Sequence, residues 1–273
     1  MINLNNSRNE FGEFITKSVG DANNNVSHSN AVVIKKNTDS NDALNVWRNL
    51  CSRFTAEGDT SAIPLLTVID TDGDFDDKGF SDKIRKSKIE FSLEYNSVML
   101  AVPKNFTNSV QSGEEHIKTK LIDSIIVKEN SKFAKEVNIY LNDKITSTSK
   151  EKTINDTMRS LISKIDVRYI KNAVFMMSSK IYHQLITEKN SSNSYYQNGY
   201  EFCGHRIVIE NQIVLADFEE AFVIGDSNND KIDVMTDVKH PSLIFYTFTS
   251  GSKIQVIDNK AIVYSVYTVD AAN

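Results

Sequence analysis

The sequence is poor in the residues that mark special protein classes. Its 273 residues include only 10 Gly, 3 Pro and 2 Cys, which excludes collagen-like and proline-rich repeats and argues against a disulfide scaffold. Basic residues number 31 and acidic residues 36, for a formal charge of −5, and this balance excludes a strongly cationic nucleic-acid binder. Hydrophobic residues make up 40% of the chain, enough for the core of one large or two modest domains.

Long apolar runs are also absent. The two best, residues 62–69 and 243–248, are too short to cross a bilayer, so we expect no membrane partner. The first ten residues carry neither a basic start nor an apolar stretch, so we expect no secretory signal. Cys51 and Cys203 form no CxxC motif, which favours a reducing compartment and synthesis in the cytoplasm.

Motifs that would supply an active site are absent or incomplete. There is no GxSxG, GxGxxG or GKS/GKT, and the five histidines lack HExxH or HxH spacing. The aspartates of 70–77 resemble a calcium loop, but its Gly and Glu positions hold other residues, so we interpret them as an acidic hairpin tip. Two SxxK patterns, 149–152 and 250–253, lack the companion motifs and are interpreted as turns. We expect no cofactor, no metal and no catalytic residue.

The first hundred residues combine an arm, a helix and a hairpin. Residues 1–41 are polar and predict a flexible arm. From Asp42, apolar residues recur at helical spacing and predict a short amphipathic helix. An apolar run at 62–69, a polar loop, and alternating apolar residues over 89–102 with a phase shift near 96–97 predict a long hairpin. The apolar positions of the helix are Ala43, Trp47, Leu50 and Phe54.

The rest of the chain predicts helices followed by short strands, so the fold class is α+β. A capping box of Ser112 and Glu115 begins a helix predicted over 113–143. Thr153 with Asp156 begins a second helix, and Ser178 caps a third. The apolar stripe of the long helix comprises Ile117, Leu121, Ile125, Phe133, Val137 and Leu141. Strands are predicted at 173–177, 206–209, 221–224, 231–235, 243–249, 254–257 and 261–269.

The order of these elements resembles the major capsid proteins of tailed bacteriophages, which share the Hong Kong 97 fold. The segment SKIEFSLEYNSVMLAVPKNFTNSV and the helix after it resemble that family's E-loop running into its spine helix. The segment VRYIKNAVFMMSSKIYHQL is similar to the family's strand-turn-helix. The segments GHRIVIENQI, VLADFEEAFVIGD and LIFYTFTSGSKIQVIDNKAIVYSVY are similar to its closing region.

The resemblance implies a division of the chain and an architecture of shell contacts. The N-terminal arm and the E-loop would embrace neighbouring subunits. The implied divisions are an N-terminal arm with a short helix at 1–61, an E-loop hairpin at 62–102, a P-domain with the spine helix at 103–147, an A-domain at 148–240, and C-terminal strands at 241–273 that return to the P-domain.

Within this resemblance we expect two kinds of subunit contact. Aromatic residues would make apolar contacts with neighbours, although packing inside their own subunit is an equal alternative. Charged residues of the hairpin would set the electrostatic register. The expected apolar contacts are Trp47, Phe75, Phe80 and Phe91, and the expected charged contacts are Asp72, Asp74, Lys83 and Arg85.

The implied function is a structural one without catalysis. The chain would be a major capsid protein that self-assembles through hexamers and pentamers into the icosahedral head enclosing phage double-stranded DNA. Because the long N-terminal scaffolding segment of some members is lacking, we expect either a separate scaffolding protein or none, and we favour a separate one. The other expected partners are a portal and DNA contacted non-specifically, and the location is the virion, after assembly in the host cytoplasm. The alternatives are an encapsulin-like nanocompartment shell and, from a different class, a small hydrolase or binding module with a nonlocal site.

Overall fold

A computed structural model describes nine stretches of the chain: 30–33, 43–56, 58, 60–64, 88–106, 113–144, 153–189, 200–210 and 213–265. The chain divides into two compact units. The first unit contains residues 1–40, 55–129 and 225–253, and the second contains residues 41–54, 130–224 and 254–273.

The described residues form strands and helices in mixed order, which confirms the α+β class. The strands are β1 (Asn30–Val33), β2 (Ser52–Ala56), β3 (Thr60–Pro64), β4 (Lys88–Ser92), β5 (Glu94–Pro103), β6 (Val174–Met177), β7 (Glu201–Phe202), β8 (His205–Ile209), β9 (Ile213–Ala216), β10 (Phe222–Ser227), β11 (Lys231–Met235), β12 (Leu243–Val256) and β13 (Ile262–Ser265). The helices are α1 (Val46–Leu50), α2 (Gly113–Lys144), α3 (Ile154–Lys164), α4 (Ser179–Lys189) and α5 (Phe218–Ala221), with short 3-10 helices at Ala43–Asn45 and Asn259–Ala261.

A six-stranded sheet has the order β1-β11-β12-β10-β2, and β5 also pairs with β12. In the first unit, β1, β11, β12 and β5 are antiparallel neighbours. Along β12, Ile244, Tyr246 and Phe248 are buried while the residues between them are only half-buried. This alternation gives the sheet a covered face and an open face.

The long helix α2 follows the predicted bounds closely. All six residues of its predicted apolar stripe are buried. That stripe has one gap in its four-residue spacing, and the gap is Glu129, which is fully buried. The hydroxyl of Ser250 on β12 donates to Glu129 Oε1 at 3.1 Å, so a polar contact joins α2 to the covered face of the sheet.

The hairpin predicted over 62–102 differs from the structure at its C-terminal end. β3 and β4 pair antiparallel, with Thr60 opposite Ser92 and Pro64 opposite Lys88. Residues 94–102 do not continue this hairpin, because β5 takes its backbone partners from β12. The change of face falls between buried Leu93 and half-exposed Tyr95, a little before the predicted phase shift.

The second unit is built around a five-stranded sheet of order β13-β9-β6-β8-β7. Successive residues of β6 and β9 point alternately into two hydrophobic clusters. Helix α3 covers one face, and its N-cap Thr153 accepts a hydrogen bond from the Asp156 N–H at 3.1 Å. Ser178 Oγ likewise accepts from the Ile181 N–H at 3.3 Å, next to α4. Both predicted cap residues are confirmed.

Three other expectations are wrong. Residues 30–33 of the expected flexible arm form strand β1, which pairs with β11. The amphipathic helix ends at Leu50, and Phe54 lies in β2. Ser250–Lys253 is not a turn but part of β12, which runs unbroken through both strands predicted there. The glycine that suggested a turn, Gly251, has another role. The Tyr95 ring on the neighbouring strand lies so close that a Cβ added to Gly251 would be 2.9 Å from it. The absence of a side chain at this position therefore makes room for the aromatic ring within a continuous strand. Residues 1–29, Ser112, 149–152 and 190–199 lie outside the described residues.

Candidate subunit interface

The open face of the first unit's sheet carries exposed apolar side chains from neighbouring strands. The strand registers place Ala101 on β5, Phe245 on β12 and Met235 on β11 side by side in one row. Met99 lies in the next row, two residues from Ala101 along β5 and opposite Thr247 on β12. Met99 is 59% exposed and Met235 is 43% exposed. We call these four residues, Met99, Ala101, Phe245 and Met235, the open-face patch.

The row that follows the open-face patch along β5 and β12 is polar. This row pairs Ser97 with Thr249, whose hydroxyls are 2.9 Å apart. Beyond it, the half-exposed Tyr95 ring lies against Gly251. An apolar centre with polar groups around it is the usual composition of a protein interface.

The turn between β11 and β12 borders the other end of the patch. Asp237 Oδ1 accepts from the Lys239 N–H, and Asp237 Oδ2 lies 2.8 Å from His240 Nδ1. The hydrogen bond from the Lys239 N–H, and secondarily the contact with His240, hold the pKa of Asp237 below its usual value. The His240 ring stands edge-on to Phe245 at 6.1 Å. This bonded turn leaves Val238 92% exposed at its tip, so the apolar surface extends past the strands.

Two of the expected subunit contacts are not available to a neighbour. Trp47 is completely buried in the second unit, where its ring meets Phe218 and Phe222 edge-on at 6.1 and 6.4 Å. Phe91 is likewise buried in the first unit. A buried side chain has almost no exposed area to lose on association, and this favours the alternative of packing within the same subunit for both residues. Phe75, Phe80, Asp72, Asp74, Lys83 and Arg85 lie outside the described residues.

The open-face patch was missed in the sequence, although a signal for it exists. The alternation predicted over 89–102 accounts for one apolar face of this strand, yet Met99 and Ala101 at the alternate positions are apolar too. The run LIFYTF of β12 is apolar on both of its faces. A strand that is apolar on both faces is typical of one covered on both sides.

Two of the site patterns considered in the sequence can be checked among the described residues. Ser250 is fully buried against Glu129, and Lys253 forms an ion pair with Glu94, so this SxxK pattern presents no accessible nucleophile. Within the described ranges, no three His, Cys, Asp or Glu side chains are placed to hold a metal ion. The Asp70–Asp77 segment is outside those ranges. None of the described helices is long and apolar enough to span a membrane.

Several solved structures have a similar fold. The capsid of an empty GTA particle superposes with a TM-score of 0.58 at 12% identity, covering 86% of this chain and 93% of that one. A chain from Microbacterium phage Oxtober96 gives 0.55 at 12% identity, covering 86% and 93%. The holo-SrpI encapsulin complex from Synechococcus elongatus gives 0.52 at 12% identity, covering 87% and 94%. At such low identity these likenesses define the fold alone, and it is the Hong Kong 97-like capsid fold.

The sequence itself identifies the family. The model of the phage capsid family matches residues 82–267, well over half of the chain. The chain therefore belongs to the phage capsid family, and it is a major capsid protein, a structural component of the virion capsid. No curated protein sequence matches it significantly.

Proposed function

We propose that this chain assembles with copies of itself, through hexamers and pentamers, into an icosahedral shell that encloses double-stranded DNA. The observation that carries the proposal is the open-face patch, an apolar surface on three registered strands of a capsid fold. Water contact with this surface is unfavourable by roughly 25 cal/mol per Å² of apolar area. Contact with a neighbouring copy would remove that cost.

The energetics of a shell suit many modest contacts. Obligate interfaces commonly bury more than about 2,000 Å² in total, far more than one four-residue patch offers. We therefore expect further contacts outside the open-face patch. Phe75 and Phe80 remain our proposed apolar contacts, and Asp72, Asp74, Lys83 and Arg85 our proposed charged contacts, on the expected E-loop.

The remaining assignments follow from the shell role. The formal charge of −5 suits a container, because a surface that bound phosphates tightly would hinder packaging and ejection. DNA contact is therefore proposed to be non-specific. We also propose a scaffolding protein and a portal as partners, assembly in the host cytoplasm, and no catalytic step. The divisions 103–147, 148–240 and 241–273 are retained as proposed P-domain, A-domain and C-terminal strands.

An encapsulin-like shell is the second candidate, favoured by the likeness to the SrpI encapsulin complex. The two candidates differ in what the shell encloses. Particles isolated from the native source that contain double-stranded DNA support the head, whereas particles that contain protein without nucleic acid support the nanocompartment.

The first test is assembly of the purified full-length chain, followed by sedimentation and electron microscopy. We expect closed shells, because the chain carries both the fold and an unsatisfied apolar face. A protein that remains monomeric at high concentration contradicts the proposal.

The second test changes the open-face patch without altering its shape. Met99→Gln combined with Met235→Gln replaces two thioethers by polar side chains of similar length. We expect shells to be lost at concentrations at which the unmodified chain assembles, with less than about 0.5 kcal/mol change in the free energy of unfolding of the subunit. The matched control, Met99→Leu with Met235→Leu, should still assemble. Shells from the double Gln variant at normal yield would remove the patch from the interface.

A further inference from the structure

The outer edge of β5, the one that does not face β12, is a second exposed feature of the first unit's sheet, distinct from the open-face patch. β5 is ten residues long and pairs with β12 along its whole length. Among the described residues, no strand pairs with its other edge. Unpaired edges of this length readily accept another strand, and natural proteins normally shield them.

The hydrogen-bond phase of β5 shows which groups lie on the outer edge. The Lys104 N–H donates to Ser242 O at 3.0 Å, which continues the β5–β12 register by one residue. In an antiparallel strand, one residue directs both its N–H and its C=O toward the strand on one side, and the next residue directs both toward the other side. Val102, Leu100 and Val98 therefore bond to β12, whereas Ala101, Met99 and Ser97 direct their N–H and C=O groups outward.

An independent contact agrees with this phase. Lys128 Nζ on α2 donates to Ser97 O at 2.7 Å, as expected if that carbonyl points away from β12. Lysine near an edge is one of the usual shields against uncontrolled strand pairing. Pro103 at the other end has no N–H to offer. These two residues bracket a short accessible stretch centred on Met99 and Ala101, and so they would fix the register of an added strand.

The outward backbone groups and the open-face patch belong to the same residues. Met99 and Ala101 direct their side chains to the open face and their backbone groups to the outer edge. A strand added at this edge would place its own alternate side chains beside Met99 on the open face. The edge and the patch are thus continuous parts of one surface.

We propose that an extended segment of a second copy of this chain pairs with the outer edge of β5 through the backbone groups of Met99 and Ala101. The inference rests on the proposed function, because in a shell the surroundings of each subunit are other copies of the same chain. Backbone pairing supplies directional contacts that an apolar patch lacks. It would therefore define the angle between neighbours while the patch supplies affinity.

Amide hydrogen exchange on shells grown from the purified full-length chain alone tests this inference directly. Residue-level exchange over 94–103 is compared between shells and dissociated subunits. We expect the Met99 and Ala101 amides to exchange at least about tenfold more slowly in shells, while the Val98 and Leu100 amides are slow in both states. Shells in which the Met99 and Ala101 amides remain fast overturn this inference but leave the proposed function standing.

Other outcomes of the same experiment are equally decisive. Protection that requires an added scaffolding protein overturns the second copy as the occupant. A chain that forms no shell contradicts the proposed function, and the inference fails with it.

A pair of variants at Ala101 provides a second test. Ala101→Pro removes the outward N–H at an edge position where proline is tolerated, and Ala101→Val adds comparable bulk but keeps the N–H. We expect the proline variant to raise the subunit concentration needed for assembly about tenfold, and the valine variant to change it less than about twofold. Circular dichroism checks that both subunits fold. Equal assembly of the two folded variants overturns the inference, and if the proline variant does not fold, the exchange measurement decides alone.

Discussion

The two sheets of this protein use apolar residues in opposite ways. In the second unit, Phe175 and Leu215 point into one hydrophobic cluster while Met176 and Val214 point into the other, so both faces are covered by the same chain. In the first unit, α2 contacts one face, and the other face exposes Met99 and Met235. Similar strand sequences therefore end in different environments.

The difference indicates where this polypeptide completes its own burial and where, under the proposed function, burial is left to association. A sheet covered on both faces contributes its full hydrophobic free energy to folding of the single chain. A sheet covered on one face contributes part of it only when another molecule arrives. The second unit's sheet, covered on both faces, is called the closed sheet and is suited to a stable subunit. The first unit's sheet, covered on one face, is called the open sheet and is suited to a contact between subunits.

The largest expected effect contrasts the two sheets in one measurement. Leu215→Ala leaves a cavity in the closed sheet and should lower the free energy of unfolding by about 3 kcal/mol. Met99→Ala on the open face should lower it by less than about 0.5 kcal/mol. Denaturant unfolding of dissociated subunits measures both. A Met99→Ala loss as large as that of Leu215→Ala would mean that the open face is already covered within the subunit.

The covered face of the first sheet offers a test by pH. Burial, and secondarily the charge of Glu114, raises the pKa of Tyr246 to about 12. An unfolded tyrosine has a pKa near 10, so between pH 10 and 12 the unfolded chain loses a proton that the folded chain retains. The free energy of unfolding should then fall with rising pH, by at most about 1.4 kcal/mol per pH unit from this group.

Tyr246→Phe should make that fall shallower, because the residue no longer titrates in either state. The control is Tyr95→Phe, since Tyr95 is half-exposed on the open face. The two variants are compared by denaturant unfolding at pH 9 and at pH 11.5, around the unperturbed tyrosine pKa of about 10. A pH dependence that is unchanged in Tyr246→Phe would show that this face admits water.

The smallest expected effect concerns helix α3, which covers one face of the closed sheet. Thr153 accepts from the Asp156 N–H and donates to Asp156 Oδ2 at 2.8 Å, at the start of α3. Thr153→Ala should lower the free energy of unfolding by about 1 kcal/mol, because an N–H at the helix start loses its partner. Thr153→Ser keeps the hydroxyl and should change the free energy little. Equal losses in the two variants would assign the effect to the methyl group instead of the cap.

Local patterns predicted the elements whose burial is periodic. The apolar stripe of α2 and the cap residues Thr153 and Ser178 were read correctly, because each depends on residues close in sequence. The bend expected near Gly251 was wrong, since the residue that explains it, Tyr95, is far away in the chain. The placement of Trp47 was open in the sequence for the same reason: its partners Phe218 and Phe222 are remote.

The sequence alone determined the α+β class, the position of the long helix and the resemblance to phage capsid proteins, since these depend on periodicity and on the order of elements. Only the tertiary structure decided that Glu129, a gap in an apolar stripe, has Ser250 as its partner, and that Met99 and Met235 lie on one uncovered face. The physical reason is that the alternation of residues along a strand determines which face each side chain occupies. Whether anything covers that face is determined by strand pairing and packing between segments that are distant in the sequence.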